Sequence, residues 1–497
     1  MGLFREILAN AFFGTGLRAS AFTVASQIPN LMSNLFAQAA LSAAFVPVFT
    51  DLLQSGRKKE AFRLATTLFW IVTLVLGTIT ALGIVLAGVI LPLFSGSKFD
   101  GHAAAVLTQI MFPVVMFLGM SGVITGILQS YDKFTIPALA PVVWNIVIIV
   151  LTIVFRHNFG KNGIYAYAVA WLIATIVQFF LIAYALRSID YRLGFSIDWQ
   201  DPRIRQVFLL MLPVTIGLGI VNLDALINST MGALVNSNGP RSIQAAFLIY
   251  MLPQGIFSVA VSTVLFPTLS RQAARHAPAE MRHTLGSGMR QINLLLIPSA
   301  VGLLALSRPI TQLVFKHGAF NELSLDLTSE ALFWFAFSLP FAGLNLLMTR
   351  TFFALQRPWI PTKLAAINMT VDIIVSVALY KPLGIAGLVI GTGCANIVMA
   401  ALQFRRLRIG FNGRLEEGQT LMITARILAV SLVTGAIARL LWELIHSLAG
   451  SSIPAQIGSV GISVMLAGGF YVWGISHMRI PEWQQIESMF LTRLRAR

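Results

Sequence analysis

Apolar residues recur in runs of about twenty from one end of this 497-residue chain to the other, each closed by a short stretch of Gly, Pro, Asn or basic residues. A run of that length spans a bilayer as a helix, and so many of them predict an all-α polytopic membrane protein. About fourteen transmembrane helices can be drawn: 1–17, 20–53, 64–94, 103–129, 135–155, 163–186, 206–234, 242–270, 284–307, 328–355, 359–380, 383–404, 420–442 and 455–477. The second is unlike the rest. Along SAFTVASQIPNLMSNLFAQAALSAAFVPVF, Ser20, Gln27, Asn30, Ser33, Asn34, Gln38 and Ser42 keep returning, with prolines at Pro29 and Pro47. Hydrocarbon penalises bare amides, so this face meets either a water-filled cavity or polar helix packing.

The pattern also repeats. IPNLMSNLFAQAALSAAFVPVF (28–49) is echoed by LPQGIFSVAVSTVLFPTL (252–269), and LQSYDKFTIPALAPVVWNIVIIV (128–150) by LQRPWIPTKLAAINMTVDIIV (355–375). Two six-helix lobes follow, 1–195 and 196–408, with helices 13 and 14 and an amphipathic tail over 409–497. Even numbers of spans give both lobes one orientation, so an axis along the membrane normal is expected to relate them, with a substrate site between. The loop 187–205 is expected to be a linker helix at the lipid surface. Trp483, Ile486, Met489, Phe490 and Leu494 share a helical spacing that suits an interfacial helix.

Composition agrees: 57% of residues are hydrophobic, 11% charged, and mean hydropathy is +0.79, which leaves no room for soluble domains. The net charge of +16 could suggest nucleic acid in a soluble protein. Here 21 of the 35 Lys and Arg sit on one set of alternate loops and eight on the other, so charge sets topology instead. Both termini are expected on the cytoplasmic side of a bacterial cytoplasmic membrane, and no nucleic-acid partner is needed. The single cysteine, Cys394, excludes a disulfide framework. No signal peptide is visible in MGLFREIL.

Enzyme motifs are absent: no Walker A loop, no GxGxxG, no HExxH, and seven histidines without ligand spacing. No cofactor is implied, and chemistry has to run through ionisable groups held in the membrane. Arg5 and Glu6, in GLFRE, form an ion pair or, through Arg5, a bidentate phosphate site. Arg18 and Arg350 are further candidates, and Asn30 and Gln38 could contact a polar head. Asp224, Asn368, Asp372 and Thr392 offer oxygen at membrane depth, with Asn368 and Asp372 one turn apart on one face. Such a set suits Na+ or a proton, or serves as hydrogen-bonded structural glue.

GLFREILANAFFGTG, SAFTVASQIPNL, LSAAFVPVF and YMLPQGIFSVAVSTVLFPTLSR, with the two-lobe plan, resemble the MurJ/MviN lipid II flippases of the multidrug/oligosaccharidyl-lipid/polysaccharide exporter superfamily. The resemblance implies alternating-access transfer of an undecaprenyl-pyrophosphate-linked peptidoglycan precursor, with membrane lipids and cell-wall synthesis machinery as partners. It implies a groove of helices 13 and 14 for the polyprenyl tail. Arg5 and Glu6 match the family's Arg–acid pair, and Asp224, Asn368, Asp372 and Thr392 match positions associated with cation binding. Departures accompany it: helix 1 is expected to be shortened, Ser20 stands for an acid, Ser33 and Asn34 for arginines, and Leu248 for the arginine before the LPQG-like motif. An ion-coupled exporter of drugs or another lipid-linked glycan, and a non-transporting paralogue, are the alternative readings.

Overall fold

A computed structural model describes residues 2–36, 39–95, 99–155, 163–189, 191–196, 198, 201–413, 415–450, 452–478 and 480–484. Helices dominate throughout, as the hydropathy pattern requires. Eleven helical segments are long and apolar enough to cross a membrane among the described residues, and they coincide with eleven of the fourteen expected spans. The other three expectations fall on α1 (Gly2–Phe13), on α2 (Leu17–Phe36) followed by α3 (Ala39–Gln54), and on α9 (Pro202–Val235). Large apolar side chains point outward, as on a lipid-facing surface: Val85 and Val89 of α4 (Lys58–Ile90) are 64% and 62% exposed.

Proline and cap residues set the local breaks. The span expected over 103–129 is two helices, α5 (Gly101–Met111) and α6 (Pro113–Ser130), because Pro113 opens the second one directly. Asp100 caps α5 by accepting from the Ala103 N–H at 2.8 Å. In α12 (Pro278–Phe315), Leu306 leaves helical geometry (φ −117°, ψ 21°) three residues ahead of Pro309, which cannot donate and crowds the preceding turn.

The chain forms two compact units. The first holds residues 1–241 with 317–320: α1 to α6, α7 (Thr135–Phe155), α8 (Gly163–Ala185) and α9. It extends past the expected boundary at 195 because α9 packs on α2 and α3. Of the loop 187–205, expected as a linker helix, only the two ends are helical; the described residues between Ser188 and Pro202 are not. They are strapped along α4, with the Tyr191 hydroxyl 2.9 Å from Thr66 Oγ1, the Trp70 indole donating to the Gly194 carbonyl, and Arg63 paired with Asp198. Those anchors explain the departure: an extended strap reaches all three, a helix does not.

The second unit comprises residues 242–316 and 321–497. It holds α10 (Gly239–Pro253) beyond its first turn, α11 (Val259–Ala274), α12, α13 (Glu322–Ala354), α14 (Trp359–Leu383) and α15 (Ile385–Gly410). The last two helices, α16 (Glu417–Ala449) and α17 (Ile453–His477), join this unit rather than standing apart. Leu294, Ile297 and Val301 of α12 bury against Ile423, Ile427 and Val430 of α16 and Ile475 after them. At one end of that seam, Arg290, 1% exposed, pairs with Glu482 and, at 2.8 Å, with Glu416; His283 lies 2.9 Å from Glu416. Of the expected interfacial tail, Trp483 is half-buried against this seam, and residues 485–497 lie outside the described ones.

Candidate functional site: a buried arginine centre

α1 places Glu6 and Asn10 one turn apart on a single face. It ends at Gly14, where φ is +61° and an added Cβ would stand 2.6 Å from the Ala319 carbonyl oxygen, so glycine alone fits the turn. The Ala319 N–H donates to the Ala11 carbonyl at 2.8 Å, and the Asn238 amide to Thr15 Oγ1 at 3.1 Å. This stitched loop end brings Arg241, in the first turn of α10, down onto α1.

The charges then meet. Arg241 Nε donates to Asn10 Oδ1 at 2.8 Å, and its guanidinium pairs with Glu6 Oε2 at 2.8 Å. Arg5 donates to the other Glu6 oxygen at 2.6 Å. Glu6, Asn10 and Arg241 are buried, at 2%, 0% and 3% exposure. The Arg5 guanidinium lies 4.9 Å from the Trp144 ring centre and 5.1 Å from that of Trp171, a cation–π seat. Trp144 is itself fixed by donating to Thr175 Oγ1 at 3.0 Å. Arg5 Nε is buried with no acceptor among the described residues.

Two guanidiniums thus share the one Glu6 carboxylate. The buried Arg5 Nε still lacks an acceptor among the described residues, and a buried donor left open is costly. Planar guanidiniums suit phosphate oxygens in particular, because each presents two parallel donors. The centre therefore has the chemistry to take an anion.

Of the expected substrate residues, the structure unites Arg5 and Glu6. Arg18 is exposed in the first turn of α2, and Asn30 is half-buried further along it. Arg350 belongs to the second unit, 3.3 Å from Thr263 Oγ1 on α11. Gln38 lies outside the described residues. Sequence reasoning missed Arg241, which reads as a loop cation in NSNGPRS. The signal was there: Arg241 precedes Leu248 by two helical turns on the same helix, so the arginine absent at 248 has a counterpart on nearly the same face.

Among the cation candidates, Asp372 on α14 and Thr392 on α15 meet in the second unit. Thr392 Oγ1 donates to Asp372 Oδ2 at 3.1 Å and Ser376 Oγ to Oδ1 at 3.0 Å, with Asp372 only 1% exposed. Gly391 permits this, since a Cβ there would fall 2.2 Å from Ser376 Oγ. Ser376, four residues after Asp372, was legible as a partner and passed over. Asn368 is half-buried one turn away on α14, and Asp224 lies on α9 in the first unit. One carboxylate with two hydroxyls is a hard-oxygen set that fits a monovalent cation or a proton.

A family model described as Lipid II flippase MurJ matches residues 9–456. The chain belongs to this family. Among MurJ relatives, a probable lipid II flippase from Treponema pallidum is 29% identical over 420 residues, covering 82% of this chain and 78% of the relative. One from Rhizobium tropici is 28% identical over 484 residues, covering 95% and 90%. The fold matches the solved structure of a lipid II flippase MurJ in an inward closed conformation, with TM-score 0.78 and 23% identity over 96% of this chain and 97% of that one. An inward-facing MATE-family transporter of the MOP superfamily shares the fold at TM-score 0.71 and 17% identity, over 84% and 96%.

Proposed function

We infer that this chain is a flippase that carries lipid II between the leaflets of the cytoplasmic membrane by alternating access, with the pyrophosphate held at the Arg5–Glu6–Arg241 centre. The observation that carries the site assignment is the buried Arg5 Nε left without an acceptor, beside a second arginine on the same carboxylate; membership of the MurJ family supports the substrate. Arg5 and Arg241 grip the phosphate oxygens, while Glu6 spaces the two guanidiniums and keeps them from repelling one another. Binding there favours whichever conformation makes more of these contacts, since a ligand moves an equilibrium only by its differential affinity.

Asp372, with Ser376 and Thr392, is the place where Na+ or a proton acts on the second unit. Both termini face the cytoplasm, a reading supported by the lopsided distribution of Lys and Arg between alternate loops.

Reconstitution into liposomes containing lipid II tests the assignment. Wild-type protein should expose lipid II to an external probe, and Arg5→Ala and Arg241→Ala should each slow this at least about tenfold, the loss of one charge-assisted hydrogen-bonding group. Equal rates in all three would overturn the site; no transport by correctly folded wild type would overturn the function. For Asp372, the D372N variant should abolish any dependence of rate on sodium or on a pH gradient.

A further inference from the structure

The second unit contains a cavity of about 710 Å³ that the pyrophosphate centre does not use. It lies where α11, α13 and α15 end and α14 begins. Its floor is apolar and buried, with Phe352, Leu407 and Phe411 all under a tenth exposed. Its rim carries the exposed side chains of Arg357, Arg406 and His276.

Arginines at helix ends often serve only to offset the terminal carbonyls. Here that duty is already discharged. All three helices close with the same left-handed turn, at His276, Gln356 and Asn412 (φ +52°, +56° and +54°). In each, the next N–H caps a terminal carbonyl: Ala277 to Gln272 at 3.0 Å, Arg357 to Phe352 at 2.9 Å and Gly413 to Arg408 at 2.8 Å. Nearby Arg408 is spent on Glu417 at 2.8 Å. Arg357 and Arg406 make no ion pair with a carboxylate among the described residues.

A second, narrower groove of about 230 Å³ opens on the other side of Arg406, lined by Leu402, Arg405 and Ile409. It runs back along α15 towards the apolar part of the helix. Trp359, 49% exposed beside the cavity, marks the level where indole rings settle at a membrane interface. A small soluble anion has no use for the groove, whereas a lipid is long enough to use both spaces.

We propose that this cavity seats the phosphate of an anionic phospholipid from the leaflet on the side of the basic loops, with an acyl chain in the groove of Leu402 and Ile409. Arg357 and Arg406 bind the phosphodiester from either side, and the apolar floor takes the glycerol backbone. Basic pockets at this depth between spanning helices have the chemistry for such headgroups. The assignment rests on the membrane reading of the chain and is independent of lipid II.

Full-length protein in neutral detergent should be titrated with phosphatidylglycerol and with phosphatidylcholine of the same chains, following retained lipid by native mass spectrometry. Wild type should retain phosphatidylglycerol preferentially, and R357Q/R406Q should weaken that binding about thirtyfold. The R187Q/R192Q variant removes equal charge from an exposed segment of the first unit and should bind as wild type. The proposal is overturned if R357Q/R406Q retains phosphatidylglycerol like wild type, or if the two lipids bind equally. Displacement by glycerophosphate as effective as by the whole lipid would also overturn it, because the chains would then contribute nothing.

Discussion

Two buried arginine clusters, one in each unit, are built from the same parts in opposite proportion. In the first unit Arg5 and Arg241 share Glu6; in the second Glu416 and Glu482 share Arg290. The first sets two guanidiniums on one carboxylate, with one buried donor of Arg5 open and two indole rings as its seat. The second sets two carboxylates on one guanidinium, with His283 on Glu416, and ties α12 to the start of α16 and the segment after α17. Burial is costly for both, so composition decides what each can do. A cluster with a donor left open is a binding site, and one saturated with carboxylate is a clamp.

If that contrast holds, the clamp should answer to mutation through stability. Arg290→Met strands Glu482, 2% exposed, and should cost about 3–5 kcal/mol, seen as a large drop in the thermal unfolding midpoint in detergent. An unchanged midpoint would remove the distinction. Glu6→Gln attacks the other cluster by removing the carboxylate that the two guanidiniums share. It should destabilise by about 1–3 kcal/mol, less than Arg290→Met, because the neutral amide still accepts a hydrogen bond. Arg241→Lys sharpens the contrast further. It keeps the charge but cannot reach Asn10 and Glu6 with one planar group, so transport should fall about three- to tenfold with little change in stability.

The smallest effect concerns pH. Burial pushes the Glu416 carboxyl up, but hydrogen bonds from Arg290 and His283 outweigh it and hold the group below its ordinary value. A carboxyl lowered in the folded state contributes stability that is complete above the unfolded value of about 4.3 and lost as pH falls through the folded one. The unfolding midpoint should therefore show no contribution from this group between about pH 7 and 5, then a decline below about 4 that Glu416→Gln reduces. A decline of equal size in that variant would assign the acid sensitivity elsewhere.

Much of this was legible in the chain. Eleven spans followed from hydropathy alone, because a helix that faces lipid on one side leaves a continuous apolar run. Arg5 with Glu6, and Asp372 with Thr392, stood out as polar groups at membrane depth. Arg241 did not, because a cation beside Gly239 and Pro240 looks like a loop residue, and its partners lie 231 residues away at Asn10 and further at Glu6. Arg290 was placed inside a span with no partner in view, since Glu482 is 192 residues on. The first compact unit runs past the expected lobe boundary at 195 for a related reason. Repeat symmetry assigns α9 by ancestry, whereas packing assigns it by the faces it shares with α2 and α3. Trp144 and Trp171 carry no sequence signal that separates a cation seat from ordinary core aromatics.

Anion binding at the Arg5–Glu6–Arg241 centre is tested most directly by equilibrium binding of a polyprenyl pyrophosphate and of the matching polyprenol to wild type, Arg5→Ala and Arg241→Ala. Wild type should favour the pyrophosphate by at least about tenfold, and each variant should lose most of that preference while binding the polyprenol unchanged. Both variants keeping the full preference would place the pyrophosphate elsewhere and leave the centre a structural ion pair.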